Sequence, residues 1–251
     1  MEITSVNNEL VKETVRLQIK KYRDDTKKFL IEGFKPIKEA FEDWIEIETI
    51  FVSKEKASKY YFCCHAKIIL TTEEVLKKIS TTDTAPEAVA VGKQKIFTLN
   101  DIKTAKKVVL LENIKDLGNL GAILRTAKAF SQDAVILFGD TVDLYNPKCV
   151  RSAVGNLWKT PVVQIKDFNT LKNTFTSFER VATLPRCEDT INLKEFAVKS
   201  PYLIMFGSEA EGLSQELIDF STQKVTIEMN SKVESLNLSV AVGVILNHLF
   251  C

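Results

Sequence analysis

The chain has 251 residues, 45% of them hydrophobic and 27% charged, a balance that supports a buried core without disulfide or metal staples. Lys and Arg number 34 against 33 Asp and Glu, a formal net charge of +1, so only the placement of charge can speak for or against a nucleic-acid partner. The five cysteines (Cys63, Cys64, Cys149, Cys187, Cys251) and two histidines (His65, His248) lack metal-ligand spacing, and the longest apolar run, "VAVGVIL", falls far short of the roughly 20 residues that span a bilayer. The opening "MEITSVNNEL" predicts no signal peptide. The expectation is a soluble, cytoplasmic protein with reduced thiols, structural histidines, no metal and no membrane.

In chain order, Leu10, Val11, Thr14, Val15 and Ile19 recur at helical spacing and predict a first helix, its remaining surface carrying Lys12, Arg16, Lys20 and Lys21. "KKFLIEG" is a short apolar stop ending at a glycine, and Pro36 to Trp44 predict a second helix, since proline is tolerated in a first turn. "ETIFVS" and "AKIILT" predict short strands, "TEEVLKKIS" a helix capped by Thr72, and "APEAVAVGK" a further strand. Together they make a small α/β domain over residues 1–95. "FTLNDIKTAKK" reads as polar, and residues 96–106 are assigned as a linker. A second domain, 107–251, opens on the strand "KVVLLEN", continues through "IKDLGNLGAILRTAKAF" and reaches a strand at "AVILFG". Further strands are predicted at "RVATLP", "YLIMFG" and "KVTIEM". Continuous apolar strands alternating with helices point to a parallel sheet covered on both faces.

Three segments follow predicted strands. In "GNLGAILRTA", Gly118, Asn119 and Gly121 sit at a strand-to-helix turn with Arg125 beyond them; glycines there admit close backbone approach, and a helix N-terminus favours negative charge. An ordinary β–α turn with a surface arginine would read the same, and the G-x-G-x-x-G spacing of a dinucleotide site is missing. In "MFGSEAEGLS", Gly207 ends a strand and Glu209, Glu211 and Gly212 form its turn, which taken alone is also the pattern of a solvated acidic loop. In "VESLNLSVAVGVILNHLF", an apolar helix is entered through Glu234, Ser235, Asn237 and Ser239. Such polar groups cost about 1–3 kcal/mol each if buried unpaired, so they either cap the helix or hold something. All three segments lie at carboxyl ends of strands, where parallel sheets bind ligands.

In order and spacing, Asn119-x-Gly121-x-x-x-Arg125, Gly207-x-Glu209-x-x-Gly212 and Ser235-Leu236-Asn237-x-Ser239 closely resemble the three motifs of the SpoU (TrmH-like) branch of the SPOUT RNA methyltransferases. The N-terminal part more loosely resembles the small L30e-like RNA-binding domain often fused to them. The resemblance implies an α/β fold whose C-terminal parallel-sheet domain holds a deep trefoil knot, acting as a homodimer that transfers methyl from S-adenosyl-L-methionine to a ribose 2′-hydroxyl of RNA. It implies catalytic or orienting roles for Arg125, Asn119, Glu209, Ser235 and Asn237. It implies cofactor contacts at Leu184, Phe206, Gly207, Gly212, Ile227, Met229 and Leu236. A guanidinium is effectively always protonated, so Arg125 suits a phosphate clamp and alkoxide stabiliser better than a base. Two positions depart from the family pattern: Glu228 and Leu117 stand where proline is usual.

RNA contacts are expected from Lys12, Arg16, Lys20, Lys21 and Arg23, with Lys27 and Lys28 beside them, although a solvated helix face diluted by Asp24 and Asp25 has the same pattern. Lys148 and Arg151 lie in "NPKCVRSAVGNLW", whose "RSAVG" resembles a family stretch near the RNA site. Ribosomal RNA of the 23S type is the expected substrate. Transfer RNA is the alternative within the class, and a catalytically idle RNA-binding or ribosome-assembly factor the alternative outside it.

Overall fold

The computed structural model describes residues 1–230, 232–233 and 235–250; Ser231, Glu234 and Cys251 lie outside the described residues, so the entry role expected of Glu234 is not addressed. The chain forms two compact units, Met1–Lys95 with Asp143–Lys159, and Ile96–Val142 with Thr160–Cys251.

The first unit begins with β1 (Glu2–Ile3), α1 (Glu9–Arg16), α2 (Lys20–Thr26), β2 (Lys28–Glu32) and α3 (Phe34–Glu42). It continues with β3 (Ile47–Ser53), a 3-10 turn (Lys54–Tyr60), β4 (Lys67–Thr71), α4 (Glu73–Ile79) and β5 (Ala88–Lys93). Its sheet is mixed, in the order β1-β4-β3-β5-β2, with β2 antiparallel to β5. Asn8 caps α1 by accepting from Leu10 N at 3.0 Å, and Thr72 caps α4 as its sequence predicts. The predicted first helix is two helices: the apolar spacing breaks after Arg16, and Ile19 is 60% exposed at the start of α2. "KKFLIEG" is a strand, and its Phe29, Leu30 and Ile31 are fully buried.

The second unit starts with a 3-10 turn at Leu99–Ile102, closed by a capping box between Thr98 and Asp101. Ile102 is buried in the core with Phe97, Leu99 and Ala105 packed against it, so the stretch read as a polar linker is anchored by its few apolar residues. Then come β6 (Lys107–Glu112), α5 (Leu117–Ala129) and β7 (Ala134–Phe138). After α6 (Pro147–Ala153), which belongs to the first unit, follow β8 (Val162–Ile165), α7 (Phe168–Phe175), β9 (Glu179–Thr183), β10 (Ile191–Asn192) and β11 (Tyr202–Phe206). The chain closes with α8 (Gln215–Phe220), β12 (Gln223–Thr226) and α9 (Leu238–Phe250).

These seven strands pair in parallel throughout, in the order β10-β12-β9-β11-β6-β7-β8. One face packs Val108, Leu110, Ile136, Leu203 and Met205 against Leu171 and Phe175 of α7 and Leu217 of α8. The alternate residues, among them Val109 and Leu111, are also fully buried, as in a sheet covered on both sides. α5 and α9 pack together, with the Phe130 and Phe250 rings 5.8 Å apart. Among the described residues no helix is long and apolar enough to cross a membrane.

The segment Asp143–Lys159 completes the first unit rather than the second. Tyr145 and Trp158 set their rings 4.7 and 6.1 Å from Phe29 on the edge strand β2. Covering β2 in this way buries the apolar run that sequence alone left as a stop.

Candidate active site

Strands β6 and β11 are neighbours, yet the connections leaving them run to opposite sides of the sheet. Such a reversal opens a crevice at the carboxyl ends of the strands, where ligands bind in this architecture. The first motif follows β6 and the second follows β11. The third must travel from the end of β12, three strands away and so about 15 Å, to meet them.

It does meet them. Asp116 caps α5 by accepting from Asn119 N at 2.7 Å, which sets Asn119 in the first turn. Asn237 caps α9: its Oδ1 accepts from Ser239 N at 2.9 Å and from Ser239 Oγ at 2.7 Å. With that oxygen committed, the Asn237 amide donates to Asn119 Oδ1 at 3.1 Å, and Asn119 Nδ2 in turn donates to Glu209 Oε1 at 2.7 Å. One directional chain of hydrogen bonds therefore runs through all three motifs and ends on a carboxylate. Ser235 and Asn237 are exposed rather than buried, so neither carries a burial penalty, and the Asn237 side chain serves both the cap and this chain.

The second motif is a tight loop. Ser208 and Gly212 exchange backbone hydrogen bonds of 3.1 and 3.0 Å, and Gly212 adopts the left-handed φ of +69° that suits glycine. A Cβ at Gly207 would lie 1.9 Å from the Gly212 carbonyl carbon, so only glycine fits there. The loop is tied down by Glu112, a buried carboxylate at the end of β6 that accepts from Ser214 N at 2.7 Å.

A cavity of about 690 Å³ lies under this loop, and Leu184, Phe206, Gly207, Gly212, Ile227, Met229 and Leu236 all line it, as do Glu209, Ser235 and Asn237. Apolar side chains dominate the lining, while Thr183, Ser208 and Thr226 add hydroxyls and Glu211 a carboxylate. A slot of this composition fits a nucleoside on its apolar walls and a cationic centre near its carboxylates. Sequence reasoning did not single out Thr183, Thr226, Asp116 or Glu112. Asp116, three residues before Asn119 at a helix start, carried a visible capping signal. Glu228, which stands where the family has proline, points away from the lining and bonds Asn192 and Lys194, each at 3.1 Å. The Lys194 hydrogen bond, helped by that of Asn192, holds its carboxyl below the usual range. Leu117 occupies the first position of α5, where proline's missing N–H would cost nothing.

Three expected residues lie elsewhere. Arg125 is on α5 but is exposed, lines neither this cavity nor its neighbour, and has no hydrogen bond or ion pair among the described residues. Arg23 is 1% exposed: it donates from Nε to Asp143 at 2.9 Å and from NH1 to Leu17 O at 2.7 Å, so it holds the first unit together and is closed to RNA. Arg151 donates to Glu32 at 3.2 Å and to Thr81 Oγ1, within the same unit. Helical spacing places charge on a helix but does not say which charge is turned inward to a partner from a distant segment. Lys12 pairs with Glu9 and Lys20 with Asp24, both at the surface, while Arg16 and Lys21 are exposed. His248 donates from Nε2 to Phe196 O over 2.8 Å, a structural contact. No group of three or more potential metal ligands occurs among the described residues.

Fold and site together define a parallel-sheet α/β domain whose three motifs meet at one strand reversal. Residues 106–247 match the SpoU rRNA Methylase family, and residues 8–90 match the MRM3-like substrate binding domain. The chain belongs to the SpoU rRNA methylase family and is a methyltransferase. It is 31% identical over 97% of its length to an uncharacterised tRNA/rRNA methyltransferase of Synechocystis, covering 91% of that protein. It is 27% identical to the 23S rRNA (guanosine(2553)-2′-O)-methyltransferase RlmP of Bacillus subtilis, over 99% of this chain and 98% of that one. The crystal structure of an AdoMet-bound rRNA methyltransferase from Sinorhizobium meliloti superposes with a TM-score of 0.88 at 27% identity, over 99% and 96% of the two chains.

Proposed function

We propose that the protein methylates a ribose 2′-hydroxyl of ribosomal RNA, using S-adenosyl-L-methionine. The observation that carries this reading is the hydrogen-bond chain Asn237–Asn119–Glu209 at the rim of the 690 Å³ cavity. Leu184, Phe206, Ile227, Met229 and Leu236 would hold the adenosine, with Gly207 and Gly212 shaping the loop around it. When bound, the cofactor supplies an electrophilic methyl group. The protein's own task is to place a hydroxyl in line with it and to manage one proton. Asn119 fixes one Glu209 oxygen, leaving Oε2 to accept a hydrogen bond from the incoming hydroxyl. Ser235 and Asn237 orient the same rim. Arg125 lies outside the cavity of its own chain, and in a dimer it would serve as a clamp on a neighbouring phosphate and stabilise the developing alkoxide.

A homodimer fits this assignment. Val240 and Val244, one helical turn apart on α9, are 50% and 41% exposed, an apolar stripe suited to a second copy. Gly243 of the same helix faces α5 instead, where a Cβ would stand 3.9 Å from Thr126. In this reading Ser235, Leu236 and Asn237 belong to the knotted loop, residues 1–95 bind the RNA substrate through Lys12, Arg16, Lys20 and Lys21, and the protein works in the cytoplasm. The ribosomal substrate is supported by the 2′-O-methylating 23S rRNA relative, and transfer RNA is the other pool to test. The test is methyl transfer from labelled cofactor to unmodified ribosomal and transfer RNA. Label in ribosomal RNA supports the reading; label in transfer RNA alone moves the substrate; no label with cofactor bound contradicts it.

A further inference from the structure

A second cavity, of about 760 Å³, shares the loop 208–211 with the first and is otherwise lined by Asn113, Lys115, Asp116 and Asn119. Its described lining carries three carboxylates, Asp116, Glu209 and Glu211, against a single cation, Lys115. A polyanionic substrate that brings a ribose to Glu209 meets unfavourable potential here unless that cation answers it.

Lys115 is held for such a task. Its ammonium donates to Asp140 Oδ2 at 2.6 Å and to Asp140 O at 2.9 Å. Asp140 is itself fixed, because its N–H donates to Asn113 Oδ1 at 2.9 Å. Asn113 takes a left-handed φ of 53°, and next to Asp140 a Cβ on Gly139 would lie 2.4 Å from the same Asn113 oxygen. A left-handed asparagine and an obligatory glycine thus brace the aspartate that aims the lysine. The ion pair is exposed, at 60% and 91% for its two side chains, so its net worth is small and a phosphate can replace the carboxylate at little cost.

We propose that Lys115, aimed by Asp140, is the residue that contacts a phosphate of the acceptor RNA in this second cavity. The assignment rests on the RNA-methylation reading above and adds a residue that none of the three motifs contains.

The experiment compares wild type, Lys115→Ala and Lys115→Arg, using unmodified 23S ribosomal RNA as the probe. It measures RNA binding across a salt series, KM for RNA, and cofactor affinity by calorimetry. Lys115→Ala should raise KM for RNA roughly tenfold and lower the slope of log affinity against log salt by about 0.7–0.9, the loss of one phosphate contact. Cofactor affinity should stay within about twofold, and Lys115→Arg should keep most of the RNA affinity. An active wild type with an indifferent Lys115→Ala overturns the assignment alone. A wild type that binds cofactor but methylates no RNA overturns the substrate reading, and the assignment falls with it.

Discussion

Asn119 donates to Glu209 over 2.7 Å, joining residues 90 positions apart across the ends of two adjacent strands. The bond is charge-assisted, and Asn237, by donating to Asn119 Oδ1, helps hold the amide with its Nδ2 toward the carboxylate. Asn119→Ala should therefore cost more in turnover than in stability. Loss of a hydrogen bond to a charged group is worth about 1.5–3 kcal/mol, so kcat should fall roughly 10- to 150-fold, while thermal unfolding shifts by only a few degrees. Steady-state kinetics beside a melting curve checks both.

Gly207→Ala places a methyl where the Gly212 carbonyl already stands. The 208–212 loop must shift, at about 1–3 kcal/mol, and the cavity wall shifts with it. Affinity for S-adenosyl-L-methionine should drop by about 5- to 150-fold, as measured by calorimetry. Gly212→Ala, strained by its φ but with open space around it, should lose less.

Arg23 separates a structural charge from a substrate-binding one. Removing it strands Asp143 in a nearly buried site, and breaking such a pair costs about 3–5 kcal/mol. Arg23→Ala should lower the unfolding midpoint sharply. Lys21→Ala, on the surface of the same helix, should leave the midpoint unchanged and weaken RNA binding modestly, with a shallower salt dependence.

Burial pushes the Cys149 thiol up to about 12 and the Cys63 thiol up to about 11. Both stay protonated in the folded state where an unfolded thiol, near 9, would ionise. Their contribution to stability is therefore complete below about pH 9 and disappears as pH rises through 11 to 12. In the folded protein at pH 8, alkylation should modify the exposed Cys64 and Cys187 and spare Cys63 and Cys149, as peptide mass mapping would show.

Much of the fold was legible because its parts are local. A capping threonine before α4, a run of buried residues in β6 and glycines at the end of β11 each carry their signal within a few residues. What sequence concealed depends on distant partners. β2 reads as a mere apolar stop until Tyr145 and Trp158 cover it, and Arg23 reads as a surface charge until Asp143 pairs with it. α7 was missed although Asp167 caps it by accepting from Thr170 N at 2.7 Å, because β8 before it is only four residues long and offers too little alternation to mark a strand-to-helix step. Arg125 shows the opposite case: the motif names it, but the single chain leaves it outside the cavity.

Methylation of a ribose 2′-hydroxyl in ribosomal RNA leaves a chemical mark that the stability of the product reveals. Labelled-methyl transfer to unmodified ribosomal RNA would be followed by complete alkaline hydrolysis, which requires a free 2′-hydroxyl beside each phosphodiester. Label recovered in alkali-resistant dinucleotides, and reduced at least tenfold in Asn119→Ala, is the predicted result. Label recovered in mononucleotides would place the methyl on a base and contradict the account.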